Sequence, residues 1–252
     1  MLNQLDSEDF IYATPKGHLF SGHPTGKQVI EIMKKKTDKV LISFSGGKDA
    51  LCAWLAIKDH FEVVPFYLYT IPNLGFVERT LKYYEEFFGV RIRRYPSPSL
   101  EQKLSNLVFM PPERCWKVEG VGFVSGDYDD IRKMAAEDAG MDPDETWYVS
   151  GVRASDSLNR RASFRIHGPF THSKKVFYPV WDVRKSGLLK MLKLSGVKMP
   201  IDYWLFGKSF DGIDFRFLYP IKKYFPDDYA KIIDLFPLAE LELKRYEFYG
   251  QK

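Results

Sequence analysis

Ser45-Gly46-Gly47-Lys48-Asp49 brings a hydroxyl, two residues without side chains, a cation and a carboxylate together within five positions. Such a run can hold phosphate. Glycine lets the backbone turn sharply and lets an anion come close to the main chain. Lys48 adds a mobile positive charge. A helix that begins here would aim its free N–H groups and the positive end of its dipole at the same spot. Ser43, two residues upstream, and Ser45 supply further hydroxyls.

A second constellation is Gly151-Val152-Arg153-Ala154-Ser155-Asp156-Ser157-Leu158-Asn159-Arg160-Arg161. A glycine that ends a strand, with an arginine at the strand tip, would point the guanidinium at whatever the first loop holds. The planar fork of Arg153 suits phosphate or sulfate oxygens, which it can engage with two hydrogen bonds. Arg160 is the second choice for that role. Ser157, Arg160 and Arg161 are candidates to hold an anionic acceptor. Between Arg153 and Lys175, six Lys or Arg stand against one acid, Asp156, so the local excess of +5 exceeds the +4 of the whole chain. The segment is expected to be a basic loop hanging from a strand tip. His167 and His172 lie in it at a spacing unlike a one-turn helical metal pair, with no acid beside them.

The elements that must position these residues follow from periodicity. Residues 40–44 form a short apolar run with a β-branched bias and read as a buried strand, and Leu51, Trp54 and Leu55 recur at helical spacing directly after the glycines. Further strands are expected over 61–71, 90–95, 147–150 and 176–180. Helices are expected from Thr25 as N-cap through Met33, over 79–88 with Gly89 as its stop, over 128–138 before Gly140, and over 188–194 before Gly196. Strand–helix alternation predicts an α/β fold: a mostly parallel five-stranded sheet with helices on both faces and a helical C-terminal extension. Ligands of such sheets bind beyond the carboxyl ends of the strands. Tyr69 and Thr70 are therefore candidates to touch a nucleoside, with plain strand capping as the alternative for Tyr69. Gly22 to Gln28 imitates a phosphate loop of the Walker type but has too short a spacer, no hydroxyl after Lys27 and no strand before it. The expected division is an N-terminal surface segment (1–26), a nucleotide-binding domain (27–215) and a C-terminal helical extension (216–252).

The strand–Ser-Gly-Gly-Lys-Asp–helix unit resembles the PP-loop of the N-type ATP pyrophosphatases. The Gly151–Arg161 stretch resembles an element of the phosphoadenylyl-sulfate (PAPS) reductase and ATP sulfurylase small-subunit group within that superfamily. Weaker similarities lie at Pro111–Lys117, Pro179–Val183 and Pro200–Gly207, so the resemblance covers residues 27–215. It implies an adenine nucleotide alpha hydrolase-like fold and the use of ATP with Mg2+. Ser43, Ser45, Gly46, Gly47, Lys48 and Asp49 would bind the nucleotide with Tyr69, Thr70, Gly151 and Arg153. Lys48, Asp49 and Arg153 would be catalytic. Asp49 would orient the loop or help place the metal, which favours a carboxylate together with phosphate oxygens. The reaction implied is cleavage between the α and β phosphates and adenylation of an acceptor. The family's usual loop continues with Ser or Thr where this chain has Ala50, so one hydroxyl that would donate to phosphate is missing.

Cysteine usage narrows the chemistry. Cys52 and Cys115 are the two in the chain, too few for a disulfide framework or a four-cysteine metal site. The cysteines that follow Pro200–Gly207 in thiol-dependent relatives are absent, which argues against self-contained reduction. Cys52 reads as a small core residue and Cys115 as an inert thiol. Two alternatives therefore stand beside the adenylating enzyme: a sulfonucleotide enzyme served by a thiol-bearing partner, and a nucleotide- or nucleic-acid-binding module with reduced catalysis. No apolar run approaches a membrane span, and the start of the chain has no apolar signal region, so a cytoplasmic location and no membrane partner are expected. The acceptor is expected to be anionic, with nucleic acid among the candidates. The aromatic C-terminal helices are a candidate homo-oligomer contact.

Overall fold

The computed structural model describes residues 1–11, 22–114, 116 and 126–249. In chain order the principal elements are α1 (Gly26–Lys34), β1 (Lys39–Ser43), α2 (Lys48–Ile57), β2 (Glu62–Tyr69), α3 (Gly75–Phe88), β3 (Arg93–Pro96), α4 (Pro98–Ser105) and α5 (Tyr128–Asp138). There follow β4 (Tyr148–Val149), α6 (Leu158–His167), β5 (Phe170–Thr171), β6 (Val176–Phe177), α7 (Lys185–Ser195), α8 (Ile201–Phe206), α9 (Phe215–Tyr224), α10 (Pro226–Leu235) and α11 (Glu240–Tyr249).

Among the described residues the strands form one sheet in the order β3-β2-β1-β4-β6-β5. The β1–β2, β1–β4 and β4–β6 pairs are parallel. The register sets Leu41 against Val64 and Tyr148, and Ile42 against Pro65 and Val149. The α/β class and the mostly parallel sheet are as expected, but the strand count is corrected from five to six. The additional strand, β5, is two residues long and turns back antiparallel on β6, pairing Phe170 with Phe177. So short a strand leaves no alternation to read in the sequence.

The chain separates into two compact units that interleave along the sequence rather than follow one another as 1–26, 27–215 and 216–252 would. The first holds residues 1–67, 90–93 and 133–199. Its centre is β1, whose Val40, Leu41 and Ile42 are wholly buried, and α2, whose Trp54 meets Phe44 edge-on at 5.1 Å between ring centroids. α1 starts where expected: Thr25 accepts from the Gln28 N–H, and the Gln28 side chain accepts from the Thr25 N–H, a reciprocal capping box. The expectation of a surface segment over 1–26 is corrected for its first part. Leu2, Leu5, Phe10 and Ile11 are buried, Phe10 bridges to Val183, and the Arg184 N–H donates to the Asp9 carbonyl at 2.8 Å. Four large apolar side chains among polar neighbours are enough to draw this segment inward. Residues 12–21 lie outside the described part.

The second unit holds residues 68–89, 94–132 and 200–252. α3 ends at Gly89 in the left-handed region (φ 68°), as its sequence position predicts. Its first turn is held by Asp228 of α10, which accepts from the N–H groups of Gly75 at 2.7 Å and Phe76 at 3.0 Å. Phe76 is at the centre of an aromatic cluster, 5.3 Å from Phe225, 5.6 Å from Phe210 and 6.2 Å from Phe206. Among the described residues no helix is long and apolar enough to cross a membrane.

Candidate functional site

The site is built from the end of β1, the start of α2 and the stretch that follows β4, all within the first unit. β1 delivers the chain to Ser43, which is exposed, and to Phe44, which is buried. The turn needs Gly46, which sits at φ +72° with open space where a side chain would begin. Gly47 then occupies the N-cap of α2 with no side chain to close it, so the helix end has no capping oxygen of its own. The Ser45 hydroxyl accepts from the Gly47 N–H at 3.3 Å. Backbone that turns through a left-handed glycine into an uncapped helix end is a receptor for anionic oxygens.

Gly151 explains how β4 reaches this turn. A Cβ there would stand 2.5 Å from the backbone carbonyl of Asp49 and 2.8 Å from the nitrogen of Ala50. Only glycine allows the chain leaving β4 to lie on the first turn of α2, so Gly151 acts by close approach. Two residues later Arg153 carries a guanidinium whose side chain is 5% exposed. Nε donates to Asp49 Oδ1 at 2.9 Å. Nη2 pairs with Asp156 Oδ1 at 2.7 Å, and Nη1 donates to Ser155 Oγ at 2.8 Å and to the Val183 carbonyl at 3.1 Å. The sequence expects Arg153 beside the loop, and it is there. Its fork, however, grips protein acceptors on three segments instead of facing outward.

Lys48 and Arg160 extend this arrangement at its two ends. Lys48 Nζ lies 3.0 Å from Asp49 Oδ2, and Arg160 Nη1 donates to Asp156 Oδ2 at 2.9 Å. Lys48, Asp49, Arg153, Asp156 and Arg160 thus form a chain of five alternating charges. A buried arginine is at its centre and two partly exposed cations stand at its ends. The loop over Arg153–Lys175 is corrected to a helix over much of its length. Ser157 is the N-cap of α6, its hydroxyl accepting from the Arg160 N–H, and Phe164 is that helix's one buried side chain. At about 100° per residue, Arg161 and Arg165 share a flank of α6, while Leu158, Ala162 and Ile166 face away from Phe164. Arg165 belongs to this exposed basic flank and was missed by motif; spacing from Arg161 by one turn was the available signal.

The two Asp49 carboxylate oxygens face cations, Oδ2 toward Lys48 Nζ at 3.0 Å and Oδ1 toward Arg153 Nε at 2.9 Å. Among the described residues no three His, Cys, Asp or Glu side chains gather as a metal cluster. Cys52, on α2, is buried; burial and the nearby Asp49 carboxylate push its thiol up to about 12, and Sγ lies 3.6 Å from the Leu188 carbonyl. It is a core residue, as expected. Cys115 lies outside the described residues. Ala50 is buried at the first turn of α2. Tyr69 and Thr70 are half-buried at the end of β2 and belong to the second unit.

No family model matches the chain, and no curated protein matches it. Among solved structures it is similar to the NH3-dependent NAD synthetase from Campylobacter jejuni subsp. jejuni NCTC 11168 in complex with the nitrate ion. The two are 13% identical, with a TM-score of 0.42, over 89% of this chain and 94% of that one. A likeness of that size leaves the reading of the site to the chain's own residues.

Proposed function

We propose that the chain is a nucleotide-binding enzyme of the PP-loop ATP pyrophosphatase type, which cleaves ATP between the α and β phosphates and adenylates an anionic acceptor. The observation that carries this reading is the turn itself: left-handed Gly46, uncapped Gly47 and the start of α2, with Lys48 at the helix end. Ser45, Gly46, Gly47 and Lys48 would hold the β and γ phosphates, with Ser43 at the rim. An acceptor oxygen would attack the α phosphorus as the bond to the bridging oxygen breaks, and pyrophosphate would leave with that electron pair. Such a displacement needs positioning and charge stabilisation more than covalent help. Arg153 acts here as a positioning residue, because its guanidinium is committed to Asp49, Asp156, Ser155 and Val183.

The acceptor would be met by the basic flank of α6, through Arg161 and Arg165, with Arg160 in the same helix's first turn. Three arginines on one exposed helix favour a phosphate-bearing partner, and a nucleic acid is the form proposed. Reduction of a sulfonucleotide is not favoured, since Cys52 is buried and held protonated.

Calorimetric titration with ATP–magnesium and, separately, with phosphoadenylyl sulfate tests the reading. ATP binding followed by pyrophosphate release on addition of an RNA or DNA pool is the expected result, with both lost in Lys48→Ala. Undiminished pyrophosphate release by Lys48→Ala, or preference for the sulfonucleotide, would overturn it.

A further inference from the structure

Lys48 and Arg153 both hold Asp49, but they are not equivalent partners. Lys48 reaches Oδ2 on a flexible four-carbon stem with its side chain 27% exposed, at the mouth of the phosphate turn. Arg153 reaches Oδ1 from a buried position fixed by Asp156, Ser155 and the Val183 carbonyl. Removing Arg153 from Asp49 would break a buried four-point anchorage, whereas the Lys48 ammonium meets Asp49 from a partly exposed stem.

From this asymmetry we propose that Asp49 is an internal competitor for Lys48. Incoming phosphate takes the ammonium from Oδ2, and Arg153 is the positioning residue that makes the exchange inexpensive. The inference rests on the nucleotide reading of the same turn. When Lys48 moves to phosphate, Asp49 keeps the Arg153 guanidinium at 2.9 Å, so no carboxylate is left uncompensated beside a polyanion. Arg153 also fixes the Asp49 carboxylate on the protein side of the turn. Asp49 then tunes affinity downward, and Lys48 is the mobile element of the cradle.

The consequence runs opposite to that of an Asp49 that orients a substrate or binds a metal. Asp49→Asn removes the competitor and one negative charge near the anion. The variant should bind inorganic pyrophosphate, without added metal, roughly two- to fivefold more tightly than wild type, which is the equilibrium worth of a partly exposed ion pair. Unchanged or weaker binding overturns the exchange while leaving the nucleotide reading intact. Absence of pyrophosphate binding by the wild type overturns both.

Because Asp49→Asn also takes a partner from Arg153, the wild type supplies the second measurement. With the side chains of lysine and arginine isotopically labelled, saturating pyrophosphate should shift the Lys48 ε-methylene resonance in nuclear magnetic resonance spectra. The Arg153 Nε–H resonance should keep its position. A shift at Arg153 with none at Lys48 would make the arginine the phosphate ligand and overturn the proposal.

Discussion

Gly151 lies so close to Asp49 that a Cβ on it would stand 2.5 Å from the Asp49 carbonyl carbon. This packing brings the stretch after β4 against the first turn of α2 and so makes the Arg153–Asp49 pair reachable. Gly46 is required for a different reason, since its φ of +72° is strained for other residues but nothing lies within 4 Å of its Cβ position. Gly151→Ala must therefore displace backbone, at a cost of about 2–3 kcal/mol, and should lower nucleotide affinity by shifting the helix start. Gly46→Ala should cost about 1–2 kcal/mol from conformation alone. Urea unfolding of the two variants, with calorimetric affinity for ATP, checks the contrast; equal effects on binding would contradict it.

Arg153→Ala should be among the more damaging single changes in the first unit. It strips Asp49 and Asp156 of a buried cation and leaves the Val183 carbonyl without that donor, for a loss of about 3 kcal/mol. Lys48→Ala, at an exposed end of the same charge chain, should alter stability by less than about 1 kcal/mol while removing anion binding. Comparing urea midpoints of the two variants separates a positioning residue from a ligand. A Lys48→Ala protein as unstable as Arg153→Ala would mean that the chain of charges is purely structural.

Contiguity decided how much of this was legible. The strand, turn and helix over residues 39–57 are adjacent in sequence, so composition and spacing gave their order and their anion-binding character. Thr25, Gly89, Gly140 and Gly196 marked helix ends through local backbone chemistry, and the structure places helix ends at each. Arg153 could be placed near the loop because it follows a strand. Its saturation could not be foreseen, since Ser155, Asp156 and the Val183 carbonyl converge on it only in the folded chain. α6 escaped notice because Phe164 is its one buried residue, while Leu158 and Ile166 are exposed, so the usual apolar stripe of a helix is missing.

Asp182 directly precedes Val183, whose carbonyl accepts from Arg153. It is wholly buried, and its Oδ2 accepts from the Gly26 N–H at 2.8 Å, at the positive end of α1. The Ile11 N–H donates to its backbone carbonyl at 2.8 Å, and the neighbouring Trp181 Nε1–H donates to the Pro24 carbonyl at 3.1 Å. Asp182→Ala should therefore cost about 2–3 kcal/mol by leaving a helix-end donor buried without that acceptor. Asp182→Asn, which keeps an acceptor oxygen, should recover part of the loss. Thermal unfolding of both variants checks the order; an alanine variant as stable as wild type would remove Asp182 from the account.

Asp228 gives the second unit an acid-sensitive fastening. Burial by itself would raise its pKa, but hydrogen bonds from the Gly75 N–H, the Lys231 ammonium and the Phe76 N–H together hold it below the ordinary carboxylate value. A carboxylate with a depressed folded pKa binds fewer protons in the native state than in the unfolded chain, so stability falls as pH falls. The contribution is fully present above the unfolded value of about 4 and is lost as pH drops through the lower, folded value. Asp228→Asn should flatten the stability profile below about pH 4 and leave its slope near neutrality unchanged. Urea unfolding at steps between pH 3 and pH 7 reads this directly. A variant whose acid-side slope equals that of the wild type would show that the helix α3 cap carries no proton linkage.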